Sequence, residues 1–164
     1  MNKRLKKKSY KYALNSFYSK VGLIANLSSM IEYNLILIVS EQKILLGLNN
    51  KDELYLFEYN SLVESANNRY RELSSYSKLQ QLIKEAIASE AINKEVGKEL
   101  EKIRKERNYY IHELFIEDLR TKHLFNNPSI YFKNMDNLIS KMSFINECLV
   151  SLDRNKRSII NSYH

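Results

Sequence analysis

Apolar residues recur at intervals of three and four along most of the chain, the period of helices that bury one face. Leu23, Leu27, Met30, Ile31, Leu35, Ile38 and Leu45 form the first such stripe. They predict a helical region from Lys8 or Tyr10 to about Leu46, closed by Gly47. Its length suits either one long helix or two joined near Ser19 to Gly22. Asn50 and Glu53 have the spacing of a capping box, so a second helix is expected over about 52–73, with Leu62, Val63, Ala66 and Leu73 inward. Ser74 to Ser77 reads as a break, and a third helix over about 77–90 presents Leu79, Leu82, Ile83, Ala86 and Ile87. Asn93 is a candidate cap for a fourth helix over about 94–118. Asn127-Pro128 marks the start of a last helix that runs to about 160.

Three glycines and one proline in 164 residues are too few to punctuate a many-stranded protein. The expectation is a single all-α domain over 1–164, an up-and-down bundle of about five helices without an internal repeat. Val21 to Val39 follows a basic segment and is apolar enough to raise a membrane reading. Asn26, Ser28, Ser29, Glu32 and Asn34 interrupt it, and one acid in mid-bilayer costs about 2.5 kcal/mol or more. A buried core helix is expected there, with no membrane partner and no signal peptide, in a cytoplasmic protein.

The net charge of +7 has an uneven source. Residues 1–20 carry seven basic residues and no acid, leaving 19 basic and 19 acidic residues elsewhere. Lys6, Lys7 and Lys8, interleaved downstream with Tyr10, Tyr12, Phe17 and Tyr18, suit contacts to RNA phosphates and stacking on bases. A solvated basic helix start that aids solubility is the equally weighted alternative. The lone Cys148 has no partner for an internal disulfide and falls among apolar residues, which reads as core. Three scattered histidines and one cysteine make no metal-ligand set, and no glycine-rich loop is present, so neither metal nor cofactor is expected.

The chemistry concentrates in Arg107-Asn108-Tyr109-Tyr110-Ile111-His112. On a helical wheel Val96, Leu100, Ile103, Arg107, Tyr110, Ile111, Leu114 and Phe115 share an arc about 140° wide, with Arg107 near its centre. A guanidinium on an apolar stripe must be paired, or must face a cleft or a subunit interface. Asn108 and His112 are i, i+4 neighbours on one flank of the stripe. With eight arginines, three histidines and 18 asparagines, an Arg-Asn-x-x-x-His match is expected by chance only about 0.02 times.

Arg107-Asn108-x-x-x-His112 resembles the R-x(4-6)-H signature of the HEPN superfamily, the higher eukaryotes and prokaryotes nucleotide-binding domains. The expected helix order is similar too, with the motif on a late helix and a final packing helix after it. The resemblance implies a metal-independent endoribonuclease of the kind used in toxin–antitoxin, abortive-infection and antiviral systems, with a protein antitoxin or regulator as a possible partner. It implies that Arg107 binds the scissile phosphate, a task suited to a bidentate guanidinium. It also implies that His112 moves a proton during attack by a ribose 2′-hydroxyl, and that Asn108 orients His112 or the substrate. Tyr109, opposite the stripe, is a candidate substrate contact; Tyr110 is expected to pack.

In an ideal α-helix Arg107 and His112 stand about 140° apart, which presents them poorly to one phosphate. HEPN domains pair two motifs in a shared cleft, so a homodimer is expected. In a known subgroup a tyrosine two residues after the histidine is modified by adenylylation. Leu114 stands there, which removes that control. The alternative is a non-catalytic helical module that binds RNA, a nucleotide or a protein partner, with Arg107 and His112 serving stability.

Overall fold

The structure, a computed structural model, describes residues 3–49, 56–76, 78–114 and 128–163, and side chains over 11–48, 60–73, 78–114 and 129–163. The described residues form an all-α fold of five helices without strands. These are α1 (Lys3–Asn49), α2 (Leu56–Tyr76), α3 (Leu79–Ala88), α4 (Lys94–Asn108) and α5 (Pro128–Asn161). A π-helical turn, Tyr109–Glu113, continues α4. The expected Asn50–Glu53 capping box, Phe115 and the Asn127 cap lie outside the described residues.

α1 is one helix through Ser19 to Gly22. A side chain at Gly22 would meet nothing within 4 Å, so this glycine sits on an open face and demands no break. Nor does Gly47 close the helix, which reaches Asn49. A Cβ at Gly47 would overlap the Leu62 side chain of α2, so the glycine serves a close approach between helices. The buried stripe of α1 contains Ile24, Leu27, Ile31, Leu35 and Ile38, whereas Leu23 and Met30 are 44% and 43% exposed. Both pairs of neighbours, 23/24 and 30/31, are apolar; the inward place went to the isoleucine each time.

α2 continues through Ser74 to Tyr76, where a break was expected. Serine in a helix costs only a few tenths of a kcal/mol (~0.5) relative to alanine, too little to end one that packing favours. α3 starts where the Gln81 side chain accepts the Lys78 backbone N–H at 3.2 Å. It ends with Glu90 at φ 58°, the left-handed position that usually takes glycine, while Ile92 N–H donates to the Ala86 carbonyl at 3.1 Å. Asn93 caps α4 as expected, its Oδ1 accepting Val96 N–H at 2.8 Å. Gly97 permits close packing, since a Cβ there would overlap Ile87.

The chain divides into two compact units, residues 1–29 with 103–143 and residues 30–102 with 144–164. The first buries Phe17, Ile24 and Leu27 from α1, Ile103, Tyr110 and Leu114 from the motif helix, and Met135, Leu138 and Met142 from α5. In the second, Ile44, Leu48, Ala66 and Ile160 form one cluster, with Leu45, Leu62 and Val63 against it. Leu79, Leu82, Ile83 and Ala86 supply the inner face of α3. Within that unit Asn34 and Asn146 are both buried, and the Asn34 Nδ2 donates to the Asn146 Oδ1 at 2.8 Å. This pairing meets the need of two amides removed from water. By length and composition alone, Lys11–Leu48 is apolar enough to cross a membrane; 44% of its most apolar window is buried by the protein itself.

Candidate functional site

The motif lies in the first unit, where α4 changes its winding. Leu100, Ile103, Tyr110 and Leu114 are all buried, so the apolar stripe read from the sequence is the inward face of this helix. Arg107, on the same stripe, is half-buried rather than fully enclosed. Its Nε donates to the Ser28 Oγ at 2.9 Å, and its Nη1 donates to the Asn108 Oδ1 at 2.8 Å. Ser28 is itself only 3% exposed and belongs to the buried stripe of α1, next to Leu27. Ser28 and Arg107 are thus polar side chains on largely apolar stripes, and the buried hydroxyl gives the guanidinium an acceptor.

The π-helical turn changes the expected geometry. Leu114 N–H donates to the Tyr109 carbonyl, five residues back rather than four. A turn of this kind accommodates one extra residue, and such turns are frequent at functional sites. Positions five apart across it therefore move from the ~140° separation of an ideal α-helix towards the shared face of an i, i+4 pair. Arg107 and His112 are the motif residues five apart. The expectation of a straight α-helix, with the two on different faces, is corrected by this turn. The hydrogen bond found for the Asn108 amide oxygen is the one to Arg107.

His112 is exposed, and so is Glu113. Tyr109 is half-buried, its ring edge-to-face with Tyr110 at 5.3 Å between centroids, and so is less open to solvent than its place opposite the stripe suggested. Tyr110 packs as expected. Burial, followed by the nearby Glu106 and Tyr131, pushes its hydroxyl above the usual tyrosine range and keeps it protonated. Glu106 itself accepts from the Lys141 Nζ at 3.0 Å. Lys20 pairs with Asp136 in the same unit. Lys6, Lys7 and Lys8 lie within the α1 backbone, and their side chains fall outside the described residues. No protein-family model, curated protein or solved structure matches the chain.

Charge separates the units. By sequence the first contains 14 basic and 5 acidic residues, a net charge of +9; the second contains 12 and 14, a net charge of −2. Five of the first six residues of α1 are Lys or Arg, and its first turn has no acid. Cations at a helix N-terminus oppose the helix dipole, at about 0.3–1 kcal/mol each within the first turn. Helix stability does not account for their placement, whereas a polyanion bound there would relieve it. Among the described residues no group of three or more His, Cys, Asp or Glu is disposed to hold a metal ion.

Sequence reasoning missed Ser28. Its signal was available, a lone hydroxyl among Ile24, Leu27, Ile31 and Leu35, but the partner 79 positions away is known only once the helices pack.

Proposed function

We propose that the chain is a metal-independent endoribonuclease of the HEPN type, acting as a cytoplasmic homodimer in toxin–antitoxin or antiphage defence. The observation that carries this reading is the π-helical turn inside Arg107-Asn108-x-x-x-His112, which moves the arginine and the histidine towards one face. Two further features support it. Hydrogen bonds to Ser28 and Asn108 orient the Arg107 guanidinium, and the motif sits in the unit whose net charge is +9.

In the proposed reaction Arg107 binds the non-bridging oxygens of the scissile phosphate and stabilises the charge that grows on them. The ribose 2′-oxygen forms a bond to phosphorus as the bond from phosphorus to the 5′-oxygen breaks. The 2′-hydroxyl proton passes to the His112 imidazole, and the departing 5′-oxygen takes a proton from that imidazolium or from the histidine of the second copy. The products are a 2′,3′-cyclic phosphate and a 5′-hydroxyl. The basic start of α1 holds the RNA backbone, and Tyr109, within the motif, offers an aromatic face to a base. A small protein antitoxin or regulator is the proposed means of control.

Purified protein incubated with total cellular RNA in EDTA tests this reading against His112→Ala and Arg107→Ala. The three are first matched by circular dichroism and by mass in light scattering. Cleavage by the wild type alone is expected. Absence of cleavage by all three, with RNA affinity retained, would replace the enzyme by a non-catalytic RNA-binding module.

A further inference from the structure

We propose that Ser28 is the positioning residue of the site, fixing the Arg107 guanidinium in the orientation that receives a phosphate; the role rests on the ribonuclease reading above. Arginine is a flexible side chain, and its use as a phosphate clamp depends on the plane of its fork being held before the substrate arrives. Among the interactions that hold it are two hydrogen bonds to neutral side chains. Ser28 accepts from Nε at 2.9 Å and Asn108 accepts from Nη1 at 2.8 Å. Two anchored nitrogens define both the axis and the plane of the group, which one bond alone would leave free to rotate.

The anchors differ in rigidity. Asn108 is the next residue along the chain and moves with the arginine, whereas Ser28 belongs to α1 and is 3% exposed among packed isoleucine and leucine side chains. Ser28 therefore ties Arg107 to the frame of the unit. The winding change at Tyr109–Glu113 begins two residues beyond Arg107. The fixed point at Ser28 thus stands at the boundary between regular α-helix and the turn that carries His112.

The test uses the full chain and five proteins: wild type, Ser28→Ala, Ser28→Thr, Arg107→Ala and the double variant Ser28→Ala/Arg107→Ala. Single-turnover cleavage and the affinity for a fluorescein-labelled single-stranded RNA are measured for each. Loss of one hydrogen bond to a charged group predicts a fall in the cleavage rate of about tenfold in Ser28→Ala. The affinity changes much less, and Ser28→Thr, which keeps the acceptor, restores the rate. In the Arg107→Ala background Ser28→Ala has no further effect. A wild-type rate in Ser28→Ala, or an added loss in the double variant, overturns the role. A lowered melting temperature with unchanged cleavage per folded molecule overturns it as well, since that is the signature of packing alone. Should the wild type cleave nothing, the ribonuclease reading fails and Ser28 is judged on affinity. An Arg107-dependent loss of RNA binding in Ser28→Ala retains it as the positioner of an anion-binding arginine, and unchanged binding overturns it.

Discussion

Arg69 and Arg157 in the second unit and Arg107 in the first show two ways of holding a guanidinium. In the second, of net charge −2, Arg69 pairs with Glu72 and Glu85, and Arg157 pairs with Glu41 and Asp153. Each of these guanidinium groups meets two carboxylates, an arrangement that ties helices and cancels charge. In the first unit, of net charge +9, the hydrogen bonds described above take Arg107 to a hydroxyl and an amide. Polar pairs differ likewise: the buried Asn34 with Asn146 joins two neutral amides, whereas the buried Ser28 with the half-buried Arg107 places a hydroxyl against a cation. The difference teaches where to look for function. Arg69 and Arg157 are held by carboxylates, whereas the bonds from Arg107 to Ser28 and Asn108 orient a cation through neutral acceptors.

The largest effect expected to sharpen this contrast is on Arg107. Arg107→Ala should lower RNA cleavage per folded molecule by about 10²–10³-fold, the usual cost of deleting a group that stabilises transition-state charge, an effect larger than the loss of stability from leaving the Ser28 hydroxyl without this partner. Arg69→Ala should do the reverse, reducing thermal stability and leaving the cleavage rate per folded molecule unchanged. Next is the salt dependence of RNA binding. Lys6→Gln/Lys7→Gln/Lys8→Gln should reduce the slope of log affinity against log salt by about 0.7 for each phosphate no longer neutralised, while Lys94→Gln/Lys98→Gln in the second unit leaves it unchanged. Equal effects from both sets would break the contrast.

Smaller effects concern stability alone. Asn34→Ala leaves a buried amide without its partner and should cost about 1–3 kcal/mol in denaturant unfolding; Asn146→Ala in the same background should add much less. Glu41 then offers a pH readout. Its side chain is 12% exposed and its Oε2 is buried without a hydrogen-bond partner. Burial first, and the Asp153 carboxylate second, raise its pKa from 4.5 to about 7, against the opposing pull of Arg157. Because the folded pKa exceeds the unfolded one, the stability from protonated Glu41 is full below about 4.5 and is lost as the pH rises through about 7. Glu41→Gln should therefore flatten the fall in melting temperature between pH 4.5 and 7 and stabilise the protein most above pH 7. Least of all, Glu90→Gly should gain about 0.5–1 kcal/mol by relieving the left-handed backbone at φ 58°, with no change in cleavage.

Much of the helix plan was legible because it rests on periodicity and caps. Asn93 at the start of α4 and Pro128 at the start of α5 are local signals with local physical causes. Gly47 was misread because a helical glycine permits either a stop or a close approach, and only the position of Leu62 decides between them. Leu23 and Met30 were misplaced because an apolar neighbour follows each in sequence, so periodicity tolerates either phase. At the site, the anomaly of Arg107 on an apolar stripe was visible in the sequence. Its partner Ser28 was not, being a contact between distant segments, and neither was the π-helical turn. That turn carries no residue signature comparable to a cap; its trace is the hydrogen bond from Leu114 to the Tyr109 carbonyl.

The chemical nature of the RNA ends tests the central claim most directly. Wild-type protein and His112→Ala, equally folded and of equal mass, are incubated with RNA in EDTA, and the products are resolved by mass spectrometry. The account predicts 2′,3′-cyclic phosphate and 5′-hydroxyl ends from the wild type and intact RNA from His112→Ala. Ends bearing 3′-hydroxyl and 5′-phosphate, or equal cleavage by both proteins, would contradict it.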